Sequence, residues 1–466
     1  MQLKYLITPL AILLISILVS ASIIQAYTQI LTENRKSAIV KALTQSQFRN
    51  FAEYNARIIM IFDSLDALEE IDLEEAVSKI VSQQNTTAGN VTLWGWPRMW
   101  GITYVVKPDA IYTCLMALNL IGALDHVNKK VLINIALSRY NESDGAFHEP
   151  IIQVEWSNGR VENHTIGGLE LDFYAMSDLA YAESNIVSTF IWASILAQLD
   201  ALDKINATKT TEWVLSCIAE NGAFGPFPNS YPDSLPPWSS LRANPFYVDR
   251  YGTGIAYTYA AISTLKILGH LEDNNVIDKE KIKEYVLSCQ EVTSRDYTYF
   301  KAHPDDNRWT VGVMRQYTYY AVKTLEHIGM LEESDSVIQK VINFYIKEYQ
   351  NLQYEDSWPL PNRLWNATWG NTTWADVYGL FGGSFLPVHS TYYAVLALNS
   401  TKSLNLLNQL TPASLKAWSN LIILSILVCG VSIACILTYK GRELLKEGKK
   451  RCKEQPPQQL HNDSDC

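Results

Sequence analysis

Asp109, Gln316 and His389 each sit just ahead of a tyrosine in phrases that nearly repeat: "DAIYTCLMAL" from Asp109, "RQYTYYAVKTL" from Arg315 and "VHSTYYAVLAL" from Val388. A related phrase, "IAYTYAAISTLKILGHL", starts at Ile255. A carboxylate at a helix start can act as a general acid, and it serves equally as an N-cap or first-turn dipole partner. An imidazole there can ligate a metal or bond a neighbouring backbone group. Tyrosine combines an apolar ring with a polar tip, which suits a cavity wall. Asp109 and His389 are therefore the candidates for catalysis. Together with Arg315 and Gln316 they are also candidates for lining a ligand cavity. The tyrosines that would join them are Tyr112, Tyr257 and Tyr259, then Tyr317, Tyr319 and Tyr320, then Tyr392 and Tyr393.

The phrases align on shared leucines, Leu118, Leu196, Leu265, Leu325 and Leu398, at gaps of about 78, 69, 60 and 73 residues. A degenerate first copy starts near Met60. Apolar residues recur at three and four, the helical period. A more charged second helix follows each phrase, as in "TTEWVLSCIAENGAFGPFP" and "EKIKEYVLSCQEVTSRDYTYF". Two of these segments end in "DGAF" or "NGAF", where glycine suits a left-handed helix stop. Helical hairpins that cannot bury a face alone stack on one another. The expected fold is all-α: a closed (α/α) toroid of about five to six hairpins over residues 50–404, apolar first helices inside and charged second helices outside.

The pattern "YxxxxxLxxLg.ld" followed by "Q..dGaF" resembles the repeats of the prenyltransferase and squalene-cyclase superfamily, over most of Met60–Leu404. The resemblance implies an α/α toroid around an aromatic-lined cavity, with Asp109, Val187, Ala256, Gln316 and His389 at equivalent mouth positions. It also implies zinc bound by Asp, Cys and His in the protein prenyltransferases. His389 matches their histidine, but Met314 and Gln316 stand where Asp and Cys belong, and neither suits zinc. Asp109 matches the place of a cyclase proton donor without the neighbouring acids. Glu170, Asp172 and Asp178 lie in a linker with no acid–base spacing. No cofactor is expected.

Net charge is −10, with 48% hydrophobic and 18% charged residues, which argues against a nucleic-acid partner. Arg242, Arg250, Arg295, Arg308 and Arg363 are scattered rather than clustered for a diphosphate. Apolar runs mark both ends. Residues 6–26 read as a transmembrane helix, or as a signal peptide cleaved near Ser20–Ala21–Ser22; residues 418–439 read as a second transmembrane helix. Seven Lys/Arg between Lys440 and Lys453 place the 440–466 tail in the cytoplasm and the toroid outside. The flank of the first run, with Arg35, Lys36 and Lys41 after it, weighs the other way. Eight N-x-S/T sequons lie between the two runs and suit an exported glycoprotein: Asn85, Asn90, Asn141, Asn163, Asn206, Asn366, Asn371 and Asn399. A ninth, Asn462, lies in the tail. Cys114, Cys217 and Cys289 form no disulfide framework or zinc pattern.

The resulting expectation is a membrane-anchored extracytoplasmic toroid that binds a lipid or isoprenoid, a glycan or a protein. The alternatives are an enzyme of the prenyltransferase, terpene-cyclase or sugar-acting type, or a purely structural envelope role. Loop tryptophans Trp94, Trp96, Trp100, Trp365, Trp369 and Trp374 add candidate binding surface.

Overall fold

Each tyrosine phrase stops being helical in the same way. A computed structural model of the chain describes residues 34–45, 52–82, 95–99, 102–106, 108–148, 151–155, 161–165, 184–228, 254–271, 277–292, 295–305, 311–351, 385–408 and positions within 419–450. Helices run over α1 (Arg35–Gln45), α2 (Ala52–Ser64), α3 (Leu73–Val81), α4 (Pro108–Leu120), α5 (Lys129–Arg139) and α6 (Ile186–Gln198). They continue with α7 (Ala207–Ser216), α8 (Ile255–Ile267), α9 (Lys279–Ser288), α10 (Val311–His327), α11 (Asp335–Asn351) and α12 (Phe385–Ser400).

The even-numbered helices are the phrases. After each one comes a left-handed residue: Asp66, Gly122, Asp200, Gly269, Gly329 or Lys402, with φ between 50° and 79°. The next N–H then returns to a carbonyl five residues back, at Phe62, Leu118, Leu196, Leu265, Leu325 and Leu398. This is the Schellman stop. The aligned leucines are thus its carbonyl acceptors, and all five are fully buried. Burying each such side chain contributes roughly 2–3 kcal/mol. Phe62 shows that the first copy is a true repeat. The odd helices then start on capping side chains: Asp72, Asn128, Asn206 and Asp278 accept from the third N–H of α3, α5, α7 and α9.

The even helices form a closed inner ring, each packed on the next in the order α2, α4, α6, α8, α10, α12 and back to α2. Neighbouring repeats are joined by one recurrent clip. Phe147 and Phe224, from "DGAF" and "NGAF", donate their N–H groups to the hydroxyls of Thr189 and Thr258 at 3.1 Å, and Phe300 does the same to Thr318 at 3.0 Å. Gly145 and Gly222 lie against the first turns of α7 and α9. A Cβ on either would stand 2.7 Å from the backbone of Lys209 or Lys281.

The all-α expectation needs correction, because three antiparallel hairpins accompany the helices: β1 (Gly95–Met99) with β2 (Ile102–Val106), β3 (Ile151–Glu155) with β4 (Val161–Thr165), and β5 (Gln290–Val292) with β6 (Thr298–Phe300). "ITYVV" and "IIQVE" are rich in β-branched residues, which favour strands. Trp96 is therefore a strand residue paired with Val105, not a loop residue. The "EKIKEYVLSC" helix ends at Ser288, and "QEV" pairs with "TYF".

The chain divides into two units, Lys36–Asn408 and a second made of Met1–Arg35 and Gln409–Cys466. Among the described residues no helix is long and apolar enough to cross a membrane. The 6–26 run lies outside the described residues, and 418–439 is described only at single positions, helical and exposed. Asn85, Asn90, Asn366, Asn371, Trp94, Trp100, Trp365, Trp369, Trp374 and the linker acids also lie outside them, as does the side chain of Asn163. Asn141, Asn206 and Asn399 are described: Asn141 is partly exposed and the other two are exposed.

The helix stops allow a direct check. Asp200→Gly removes a side chain from a left-handed position and is expected to stabilise by about 0.5–1 kcal/mol in denaturant unfolding. Gly222→Ala meets backbone and is expected to cost roughly 1–3 kcal/mol.

Candidate functional site

Counting back from the six Schellman residues exposes the inner surface. Six positions earlier stand Ala56, Tyr112, Phe190, Tyr259, Tyr319 and Tyr392. The clip threonines 189, 258 and 318 are the residues immediately before three of these, so the clip sets which side chain faces the ring axis. The aromatics touch in sequence: Tyr112–Phe190 at 5.6 Å between centroids, Phe190–Tyr259 at 5.5 Å and Tyr259–Tyr319 at 6.0 Å. Tyr319–Tyr393 at 5.5 Å and Tyr393–Tyr392 at 5.1 Å continue the chain to α12. Such edge and tilted pairs are the favoured aromatic geometries. Tyr392 reaches α2 by donating its hydroxyl to the Met60 sulfur at 3.7 Å.

A second row of contacts sits at the seams. Tyr320 stacks on Tyr259 at 4.6 Å and accepts from the Gln316 amide at 2.8 Å. Its hydroxyl is 3.4 Å from that of Tyr393. Burial pushes the hydroxyls of Tyr112, Tyr259 and Tyr319 above the ordinary phenol value, and neighbouring tyrosines add to the effect at Tyr112 and Tyr319. All three are neutral donors at neutral pH. Tyr112 alone among the five axis aromatics and Ala56 is only half-buried.

On α2, where Ala56 replaces an aromatic, Arg57 fills the space. Its guanidinium lies 5.3 Å from the Tyr392 ring centre and 5.9 Å from that of Tyr393, and it is paired with Glu53. Both charged side chains are buried. The cation–π contact and the ion pair together offset the cost of removing these charges from water.

The structure thus brings together Tyr112, Tyr259, Tyr319, Tyr320, Tyr392, Tyr393 and Gln316. Tyr257 and Tyr317 stand two residues before the axis tyrosines, half a turn round the helix. Arg315 is buried, and its carbonyl accepts from Tyr345 of α11 at 2.9 Å. Asp109 and His389 are on α4 and α12, with their side chains outside the described residues. Sequence reading missed Glu53 and Arg57. Two charges spaced i, i+4 inside the apolar "AEYNARIIMIF" were the available signal.

The family model for the prenyltransferase alpha-alpha toroid domain matches residues 90–293 and 248–354, more than half of the chain, and the chain belongs to that family. No curated protein matches it in sequence. Among solved structures it is similar to the Candida albicans protein geranylgeranyltransferase-I complexed with GGPP: 12% identity, 80% of this chain and 91% of that one, TM-score 0.47. It is also similar to a type II terpene cyclase from Scytonema in complex with geranylgeranyl dihydroxybenzoate: 9% identity, 79% of this chain and 96% of that one, TM-score 0.41. Neither similarity bears on activity.

The zinc that the resemblance implies does not fit the residues present. Met314, Gln316 and His389 offer a thioether, an amide and an imidazole, whereas zinc takes thiolate, imidazole and carboxylate. The Gln316 amide is also committed to Tyr320. Among the described residues no three His, Cys, Asp or Glu gather to hold a metal ion.

At the far end of α10, His327 stacks on Tyr259 and its Nδ1 receives a hydrogen bond from Lys266 at 2.9 Å. Burial first, then the charges of Lys266 and Lys323, push its pKa from 6.5 to about 4, with Glu326 opposing. The folded ring stays neutral while the unfolded one protonates below 6.5. Its contribution to stability is therefore complete above pH 6.5 and declines as the pH falls toward 4. The expected loss across this window is roughly 2–3 kcal/mol. Thermal unfolding against pH should show it, and His327→Gln should flatten the profile.

Proposed function

We propose that this chain is a membrane-anchored, extracytoplasmic toroid that binds a lipid or isoprenoid, glycan or protein ligand at the mouth of its ring, without zinc-dependent prenyl transfer. The supporting observation is the Gln316–Tyr320 hydrogen bond, 2.8 Å long, at the place where the resemblance calls for a thiolate. A neutral amide tied into a tyrosine network replaces the group that would hold the metal. Anchoring draws on the two apolar runs and on the helical, exposed Ile422, Ile423, Ile426 and Leu427, spaced at three and four. The basic tail supplies the orientation. Membership of the prenyltransferase toroid family favours a second reading, an enzyme of prenyltransferase, terpene-cyclase or sugar-acting type that works with the same mouth residues.

A metal measurement separates these readings, and a protease measurement tests the topology. Full-length protein purified without chelator is expected to carry no stoichiometric zinc; zinc at one per chain that disappears in His389→Ala would falsify the non-catalytic reading. Protease added to intact cells is expected to cut within residues 50–404, and protection until lysis would overturn the extracytoplasmic assignment.

A further inference from the structure

The chain carries a net charge of −10, yet residues 440–450 hold the cations Lys440, Arg442, Lys446, Lys449 and Lys450 against only Glu443 and Glu447. All of residues 440–450 are helical and exposed. Counted from Leu437, the residues Gly441, Leu444, Leu445 and Gly448 follow at four, seven, eight and eleven, which is one face of a helix. Arg442, Lys446, Lys449 and Lys450 repeat the same kind of spacing on a different face. The apolar face is uncovered among the described residues. Leu437, Leu444 and Leu445 are 63%, 67% and 68% exposed, and nothing lies within 4 Å of a Cβ at Gly441 or Gly448. Such a helix needs a surface to hold it, since isolated helices shorter than about 12–15 residues are marginal in water and glycine weakens them further.

We infer that residues 437–450 form an amphipathic helix that docks on anionic lipid headgroups, an inference that rests on the membrane-anchored reading above and names the lipid class this segment meets. Ten large apolar side chains are exposed among the described residues. Seven of them belong to this helix and the run before it: Ile422, Ile423, Ile426 and Leu427, then the three leucines. The covering surface is therefore apolar where it meets leucine and anionic where it meets lysine and arginine. It is also continuous with whatever covers residues 418–439. A bilayer leaflet with anionic headgroups has all three properties. Leu444 and Leu445 reach its acyl boundary, and the long cationic side chains stay at the level of the phosphates. A soluble acidic protein answers the cations and the leucines but not the continuity with the apolar run. A helix running straight out into water would leave its leucines solvated.

The test places the full chain in phospholipid nanodiscs, with phosphatidylcholine alone or with phosphatidylserine added. Amide hydrogen exchange over residues 440–450 is followed by mass spectrometry. Phosphatidylserine is expected to slow exchange there roughly 10-fold and to leave α8 of the toroid unchanged. Salt at about 1 M, where the screening length falls to ~3 Å, is expected to return exchange to its phosphatidylcholine value. Replacing four cations together, with Arg442→Gln, Lys446→Gln, Lys449→Gln and Lys450→Gln, is expected to abolish the phosphatidylserine effect. Leu444→Ser with Leu445→Ser keeps the charge and is expected to abolish it too. Equal exchange in the two lipids overturns the inference, and so does an effect that survives either set of substitutions. Soluble poly-glutamate that slows exchange in phosphatidylcholine discs as much as phosphatidylserine does overturns it in favour of an acidic protein partner. A chain that enters neither disc sinks the membrane-anchored reading and the inference with it, whereas one that enters both and exchanges alike sinks the inference alone.

Discussion

The hydrogen bond from a phenylalanine N–H of one repeat to a threonine hydroxyl of the next inner helix sets the geometry on which the rest of the ring depends. It recurs at Phe147–Thr189, Phe224–Thr258 and Phe300–Thr318. Each bond contributes only about 1 kcal/mol net, but leaving the buried N–H without its partner would cost about 1–3 kcal/mol. Its larger effect is positional. Anchoring a helix at one threonine fixes both its height and its rotation, so the residue that follows must face the axis. Phe190, Tyr259 and Tyr319 are those residues, and they meet at nearly equal ring separations because their helices are held at one level.

The centre that results is aromatic on five helices and ionic on the sixth. Ala56 leaves room that Arg57 occupies, with its charge shared between Glu53 and the faces of Tyr392 and Tyr393. A buried ion pair of this kind is weak evidence for stability by itself. The contact that crosses from α2 to α12 is the Arg57 guanidinium over the Tyr392 and Tyr393 rings, with Glu53 one turn earlier on α2 balancing its charge. That tie closes the ring where the aromatic chain runs out.

Much of the architecture was legible in the sequence because the chain repeats its local physics. Leu118, Leu196, Leu265, Leu325 and Leu398 align because each supplies the same Schellman carbonyl, and "TY" recurs because one residue clips and the next faces the axis. The first copy was harder to read. Its helix begins at Ala52, ahead of the Met60 phrase, and carries Asn55 and Ala56 where four of the five other copies carry threonine and all five then carry an aromatic. Glu53 and Arg57 were hidden for that reason. The hairpins were hidden for another: strands of three to five residues next to helix ends hold too few alternations to outweigh the helical period around them.

At position 316 the chain carries an amide where the resemblance calls for a thiolate, and the charge of that stretch of wall differs accordingly. A thiolate, a carboxylate and an imidazole around zinc form a charged centre that must be desolvated as a unit. Gln316, Tyr320 and Tyr393 form a neutral hydrogen-bonded row in the corresponding region, and Tyr320 remains stacked on Tyr259 while serving in it. Glutamine at 316 leaves no hole in the aromatic wall, since its amide donates to the tyrosine hydroxyl of Tyr320 one helical turn away. The described buried charges nearest the tyrosines of α12 are those of Glu53 and Arg57, carried by α2 on the other side of that helix from α10. The wall of the ring at α10 is thus held to α12 by hydrogen bonds between neutral groups, packed against the same rings that line the axis.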